Sequence, residues 1–361
     1  MGDGRADGLT DRRPVRGRAQ LPLLPPVRPS ARPPVILDQR ARGTQFVSLK
    51  ATRILNPPAQ TGMDFWSLNP YVGCEFGCSY CYARYAHRYV VERAHDAGKL
   101  TDAEVADYRG PHGWEAFERR IFVKEQILGA LDADLRRVAA GETIVIGTAT
   151  DPYQPGERRF RVTRGVLERL ARSEGLSVGI ITKSPLVARD VDVLRKLQAR
   201  NALEVYVSLI SVDAPLIRTL EVRSPTPAVR LRALQKLVAA GINAGLIVAP
   251  VLPGITDDMS HLEALFQAAR QAGAQFLHAG PLRLYPAIRE RFLPLLDEHF
   301  PQLAARYRRA YATRSSAPRD YARALSRRIR RLQARFGFPA NDGMVDRYKS
   351  RMPVLQGELN L

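Results

Sequence analysis

The segment Cys74-Glu-Phe-Gly-Cys78-Ser-Tyr-Cys81 sets three thiols at C-x3-C-x2-C spacing. No other cysteine occurs in the 361 residues. An odd, tightly grouped set is a poor disulfide framework and reads as metal ligands or redox groups. Thiolates suit soft metals and iron–sulfur clusters. A four-iron cube ordinarily takes four cysteines. With three, one iron stays open, and an open position binds a substrate directly, as that of a catalytic zinc does. Gly73 and Gly77 permit the backbone turns such a loop needs. The competing reading is structural zinc with His87, six residues after Cys81, as fourth ligand. Zinc ligands usually come in pairs of short spacing, which this triplet fits less well. His95, His112, His261, His278 and His299 are scattered, and His278 alone ends an apolar run.

The cysteine loop follows an apolar run predicted as a strand over 66–72. A helix is predicted over 82–97, an insertion over 100–118, and a helix over 122–138 with Leu128, Leu131 and Leu135 on one stripe. Five further charge-free runs have strand length: 143–148, 177–182, 205–210, 244–249 and 275–278. Amphipathic segments at 160–173, 186–200, 226–240 and 258–272 separate them. Near-continuous apolar strands suit a parallel sheet with a covered face. The fold class expected is α/β, a partial (β/α)6 TIM-like barrel, with a doubly wound open sheet as the competitor. Residues 1–45, rich in Pro, Arg and Gly, read as a disordered leader. Residues 46–286 form the expected core domain, and 287–361 a C-terminal helical extension.

In such barrels chemistry sits at the carboxyl ends of the strands. Three groups fall there: Gly147-Thr-Ala-Thr-Asp151 with the following loop to Glu157, then Lys183, then Ser208. Each also has an ordinary reading, as a turn, a snorkelling lysine or a serine bonded to backbone. Glu221 and Arg223 read either as a charged pair at a cofactor or as a helix-end ion pair.

The formal net charge is +19. Seven arginines between Arg5 and Arg32 lie in the leader, and a second basic run spans Arg306 to Arg335. Basic excess attracts phosphates, which makes nucleic acid a candidate partner, although such arginines also form ordinary solvated faces. No apolar run approaches the ~20 residues that cross a bilayer. No signal-peptide stretch opens the chain, so a soluble, cytoplasmic protein is expected.

Asn69-Pro-Tyr-Val-Gly-Cys74-Glu-Phe-Gly-Cys78-Ser-Tyr-Cys81-Tyr-Ala resembles the signature of the radical S-adenosylmethionine superfamily, in its spore photoproduct lyase-like branch. The resemblance covers roughly residues 45–285. It implies a [4Fe-4S] cluster held by Cys74, Cys78 and Cys81, with S-adenosylmethionine on the open iron. It further implies reductive cleavage to a 5′-deoxyadenosyl radical that abstracts a substrate hydrogen. An electron donor of flavodoxin or ferredoxin type follows from that chemistry. Carried over by position, Tyr80 lies beside the adenine, Thr150 meets the amino group, Lys183 meets the carboxylate, and Ser208 faces the cofactor. Tyr82 matches a relay tyrosine of the branch and is the expected catalytic side chain. Thr148 stands where the branch carries a hydrogen-returning cysteine, and a hydroxyl is a far poorer hydrogen-atom donor than a thiol, so the branch's thymine-dimer reaction does not carry over; the resemblance implies a lyase-like enzyme with its reaction unassigned, its substrate open and nucleic acid possible. Two other classes are a non-catalytic iron–sulfur or zinc nucleic-acid-binding protein and a peptide-modifying enzyme. Enzymes of the latter kind often carry extra cysteine-rich domains, and this chain has none.

Overall fold

The structure is a computed structural model that describes residues 35–40, 43–98, 100–109 and 113–340. Among these residues the strands are, in chain order, β1 (Ile36–Gln39), β2 (Gln45–Lys50), β3 (Leu55–Asn56), β4 (Trp66–Leu68), β5 (Tyr71–Val72) and β6 (Arg120–Glu125). They continue as β7 (Thr143–Ile146), β8 (Ser177–Thr182), β9 (Ala202–Ser208), β10 (Ala244–Val251) and β11 (Leu277–Pro281). Six of them, β4, β7, β8, β9, β10 and β11, run parallel and lie side by side in that order. This is the expected partial barrel. Strand β3 adds antiparallel to β4 at one edge. A second sheet, not foreseen from the sequence, has the order β1-β2-β6-β5.

Strand periodicity of two divides the barrel residues between two faces. Val178, Ile180, Val205, Val207, Leu246 and Val248 join one apolar core with Leu194, Leu197, Leu234, Leu237 and Leu265 of the covering helices. Tyr206, Ile247 and Phe276, with Ile181, form a separate cluster on the opposite, inward face. His278 is buried beside it, its ring 5.4 Å from Phe276 and 5.7 Å from Tyr206. Three helices, Pro286–His299, Pro301–Ala310 and Arg319–Phe336, complete the described chain. Phe292, Tyr307, Tyr311, Leu325, Ile329 and Leu332 place them in the main core instead of in a body of their own.

Four local expectations change. The run 66–72 is two strands in two sheets, because Pro70 has no N–H and Asn69 turns its side chain to the backbone N–H of Ala149 (2.8 Å). The predicted helix 122–138 is β6 followed by the helix Ile127–Leu135. Alternation explains this: Phe122 packs with Val47 and Val72, whereas Ile121 and Val123 pack with Phe46 and Tyr71. Gln126, at φ 55°, turns the chain between the two elements, and Leu128 ends exposed. The insertion 100–118 holds two helices, Asp102–Arg109 and Gly113–Arg119. The leader ends earlier than 45, since Ile36–Gln39 pairs antiparallel with β2. Residues 1–34 of the leader and 341–361 of the extension lie outside the described residues.

Asp134 ties the edge of the barrel to the helix Ile127–Leu135. Its Oδ2 accepts from the backbone N–H groups of Ile54 (2.9 Å) and Leu55 (3.1 Å), and the residue is buried. Asp134→Ala leaves two buried donors unmade, a loss of about 2–4 kcal/mol. A urea midpoint equal to that of the wild type would refute this anchoring role.

Candidate active site

The cysteine loop is stitched to its surroundings at nearly every residue. Cys74 N donates to Phe117 O (2.9 Å), and Ser79 donates through N (2.9 Å) and Oγ (3.0 Å) to Leu220 O. Cys78 forms an isolated antiparallel bridge with Glu221. Arg223 donates from its backbone N to Phe76 O (3.1 Å) and from Nε to Glu75 O (2.6 Å). Glu75 N donates to Gln154 Oε1 (3.0 Å), and Gly156 N donates to Glu75 Oε2 (2.8 Å). Arg84 binds Cys78 O (3.0 Å), Trp114 O (2.6 Å) and the Glu118 carboxylate. Gly73 sits at φ +94°, where an added Cβ would lie 2.8 Å from Phe117 O. Gly77 sits at φ +67°, where a Cβ would lie 2.8 Å from both Arg223 and Glu118. Both conformations favour glycine, as the spacing of the loop suggests.

Cys74 and Cys78 are buried and Cys81 is half-buried. Burial pushes all three thiols above their ordinary pKa. Lys183 opposes that rise at Cys78, and Arg84 opposes it at Cys81. Thiolates in this loop therefore need positive charge, which an iron–sulfur cluster brings with it. Three soft donors with two neighbouring cations fit such a cluster. Among the described residues no three His, Cys, Asp or Glu side chains gather as they would round a single metal ion. A cube bonds each thiolate to a different iron and so holds the sulfurs wider apart than one zinc ion does. His87 is committed elsewhere. Its Nε2 lies 3.3 Å from Arg120 O, its ring packs with Tyr108, Phe117 and Phe122, and burial lowers its pKa to about 4.

Beside the loop, the carboxyl ends of the strands bring the polar residues together. Lys183 Nζ donates to Ser208 Oγ (3.1 Å), lies 5.8 Å from the Tyr80 ring centroid and stands 3.9 Å from Glu221 Oε1. Burial would lower the lysine pKa, but the negative charges of Cys78, when it is a thiolate, and of Glu221 outweigh it and raise it, so the ammonium keeps its charge. Glu221 is wholly buried and accepts from Arg230, Tyr80 and Ser224 Oγ (2.7 Å). Burial raises its carboxyl pKa, but Arg230, Lys183 and the hydrogen bonds from Arg230 and Tyr80 overcome that and bring it to about 2. Asp151 fixes the strand-end turn by accepting from Lys183 N (2.7 Å), Thr182 Oγ1 (2.7 Å) and Tyr153 N (2.9 Å).

Thus Tyr80, Lys183 and Ser208 meet in one place. Thr150 is turned to the loop itself, donating to Gly73 O (2.6 Å) and accepting from Gln154 Nε2 (3.2 Å). Tyr82 is exposed, and its hydroxyl donates to Thr148 O. The Thr148 hydroxyl is held by Ser67 Oγ (2.5 Å) and Asn69 Nδ2 (3.0 Å). Glu221 and Arg223 are not a pair: Glu221 turns inward to Arg230, while Arg223 crosses the loop to Glu118. Sequence reasoning missed Arg230 because an arginine within the helix Pro227–Ala239 reads as solvated. It missed Glu118 and Arg84 because nothing in their spacing ties them to the loop. Gln154 and Asn69 lay within segments already singled out, where a side-chain amide beside a tight loop was the available signal.

Glu221→Gln leaves the buried Arg230 charge unpaired and destabilises by about 3–5 kcal/mol. The urea midpoint falls, and iron bound per chain after reconstitution falls with it. Glu221→Gln with Arg230→Met recovers part of both. A single variant as stable as the wild type would show the ion pair to be dispensable.

Comparison with known proteins agrees with this geometry. A family model described as "Radical SAM superfamily" matches residues 68–265, more than half of the chain. The Mycobacterium tuberculosis (strain H37Rv) "Uncharacterized protein Rv2578c" is 33% identical over 272 residues, covering 75% of this chain and 74% of that protein. The Methanocaldococcus jannaschii "Uncharacterized protein MJ0683" is 28% identical over 213 residues, covering 59% of this chain and 70% of that protein. Among solved structures, a mutant of spore photoproduct lyase with bound AdoMet and dinucleoside spore photoproduct shares the fold. It has a TM-score of 0.57 at 15% identity, covering 81% of this chain and 79% of that one. A cysteine loop at the mouth of a six-stranded partial barrel, matched by a family model over most of that barrel, makes this chain a member of the radical SAM superfamily and a radical SAM enzyme.

Proposed function

We propose that Cys74, Cys78 and Cys81 ligate the [4Fe-4S] cluster and that this enzyme abstracts a hydrogen atom from a nucleic-acid substrate. The observation that carries the site is the meeting of the cysteine loop with Tyr80, Lys183 and Ser208 at the strand ends. When bound, the cluster and S-adenosylmethionine supply one-electron cleavage of the sulfonium to methionine and a 5′-deoxyadenosyl radical, the hydrogen-abstracting species. The chain's own residues bind and orient. Lys183, kept charged, offers an ammonium to a carboxylate, and Ser208 steers that ammonium by accepting from it. Tyr80, fixed through its hydroxyl by Glu221, offers a ring face. Thr150 and Gln154 hold the loop entrance at Gly73.

Two observations favour nucleic acid as substrate. The chain carries a net charge of +19, and an enzyme of the same fold is seen with a dinucleoside bound. Tyr82 is the proposed catalytic side chain, supported by its bond to the strand-end carbonyl of Thr148. All three cysteines of the sequence lie in the proposed cluster loop. A flavodoxin- or ferredoxin-type protein is the proposed electron donor. Among the described residues no helix is long and apolar enough to cross a membrane. Superfamily membership leaves no support for the non-catalytic iron–sulfur or zinc reading.

Anaerobic reconstitution, reduction and addition of S-adenosylmethionine yield 5′-deoxyadenosine from the wild type and none from Cys81→Ala. An equal yield from both would sink the assignment of the loop. Lys183→Met keeps the cluster absorbance but weakens S-adenosylmethionine binding about 10- to 100-fold, as expected for removal of one charge-assisted hydrogen bond. Tyr82→Phe retains 5′-deoxyadenosine formation and lowers conversion of an oligonucleotide substrate at least tenfold. Unchanged conversion would remove Tyr82 from the reaction.

A further inference from the structure

The helix Arg319–Phe336 has two opposed faces. Leu325, Ile329, Leu332 and Gln333 are buried, and Gln333 Nε2 donates to Leu277 O (2.9 Å) of β11. At about 100° per residue, Arg319, Arg323, Arg327, Arg330 and Arg331 fall within one stripe about 120° wide on the other side. All five are exposed. Arg328 and Arg335 border the buried face and are tied down, Arg328 to Asp257 and Arg335 to Glu263. Within the stripe the one acidic contact among the described residues is Arg323 to Asp320, at 3.9 Å and fully solvated. Arg319, Arg327, Arg330 and Arg331 have no carboxylate within ion-pair distance among the described residues. Arg306 and Arg309 of the neighbouring helix Pro301–Ala310 are exposed too, and Arg306 shares a groove with Tyr321.

The stripe has a direction. Leu284 N donates to Ser315 O (2.7 Å), and Arg283 bridges Ser316, so the segment before the helix rests on the loop after β11. Arg328 Nη1 donates to Asp257 O (2.5 Å), in the loop after β10. The N-terminal half of the helix therefore stands at the carboxyl ends of the strands, on the same rim as the cysteine loop. From Arg319 to Arg331 the helix rises about 18 Å, the length of about five base pairs of duplex.

We propose that this arginine stripe is the docking surface for the sugar–phosphate backbone of the nucleic-acid substrate, leading the strand to the barrel mouth; this rests on the nucleic-acid reading above. Self-repelling arginines with a single solvated carboxylate, Asp320, among them are complementary to a row of phosphates. The apolar face of the helix is already used in the core, so the helix has nothing to insert into a lipid surface. Only its charge remains on offer, and a polyanion is what charge alone holds.

The test is fluorescence anisotropy of a labelled 20-base-pair DNA at 50–200 mM KCl, with the reconstituted full chain. Arg319, Arg327, Arg330 and Arg331 are changed together to Gln. A matched set, Arg158, Arg172, Lys196 and Arg232, all exposed and outside that helix, is changed to Gln as control. The stripe variant is expected to bind at least tenfold more weakly at 100 mM salt. The slope of log affinity against log salt flattens by about 3 to 4, near 0.9 for each phosphate no longer neutralised. The control set stays within twofold of the wild type, and both variants form 5′-deoxyadenosine without DNA at the wild-type rate. Equal losses in both sets, or tight wild-type binding that the stripe variant keeps, overturn the docking surface and leave the nucleic-acid substrate standing. A wild type that does not bind DNA at 50 mM salt overturns the substrate reading as well. A stripe variant that keeps DNA but no longer binds phosphatidylglycerol vesicles assigns the stripe to a membrane and overturns the proposal.

Discussion

The buried ion pair between Glu221 and Arg230 is the constraint from which the rest of the site is built. Both side chains are completely enclosed, where an unpaired charge costs several kcal/mol. The pair therefore has to be satisfied on all sides, and the partners that satisfy it are the site. Tyr80 and Ser224 supply donors to the carboxylate, and the carbonyls of Ser208 and Pro225 accept from the guanidinium. Because Glu221 also bridges Cys78, placing this carboxylate places the middle of the cysteine loop. Because Arg230 grips Ser208 O, it also fixes the strand end where Lys183 finds its serine. One carboxylate thereby relates three strand ends that are far apart in sequence.

The loop is also fixed from its other flank by an independent set of charges. Glu118 receives Arg84 from the helix after the cysteines and Arg223 from the turn after the helix Ala214–Leu220. The result is a cradle whose walls carry cations and whose floor consists of thiols that burial keeps protonated until positive charge arrives. Such preorganisation moves the cost of shaping the site into folding, so that little rearrangement accompanies loading.

Much of this was readable beforehand, for physical reasons that differ between elements. The parallel strands stood out because both faces are covered and their runs carry no charge; 177–182 was found with the bounds of β8. The cysteine loop stood out because three thiols with no fourth have few uses. The second sheet was hidden because β6 runs into the helix Ile127–Leu135 with only Gln126 between them, so its apolar residues merged with the helical stripe that follows. The split of 66–72 was hidden for a different reason. A strand that changes sheets keeps an apolar sequence throughout, and Pro70 is the single mark of the change. Long-range ion pairs such as Glu118 with Arg223 leave no trace in composition or period. They exist only once the helix after β9 has folded back on the barrel.

The passage of one chain run from β4 into β5 joins the barrel to the second sheet just ahead of the cysteines. Whatever binds at Cys74 therefore binds a seam common to both sheets. By linkage, occupancy of that seam adds to the stability of both at once, and emptying it subtracts from both. With the cluster on the cysteines proposed to hold it, folding and iron supply become two readings of one equilibrium, and an iron-starved chain is weakened at the point where its two sheets are joined.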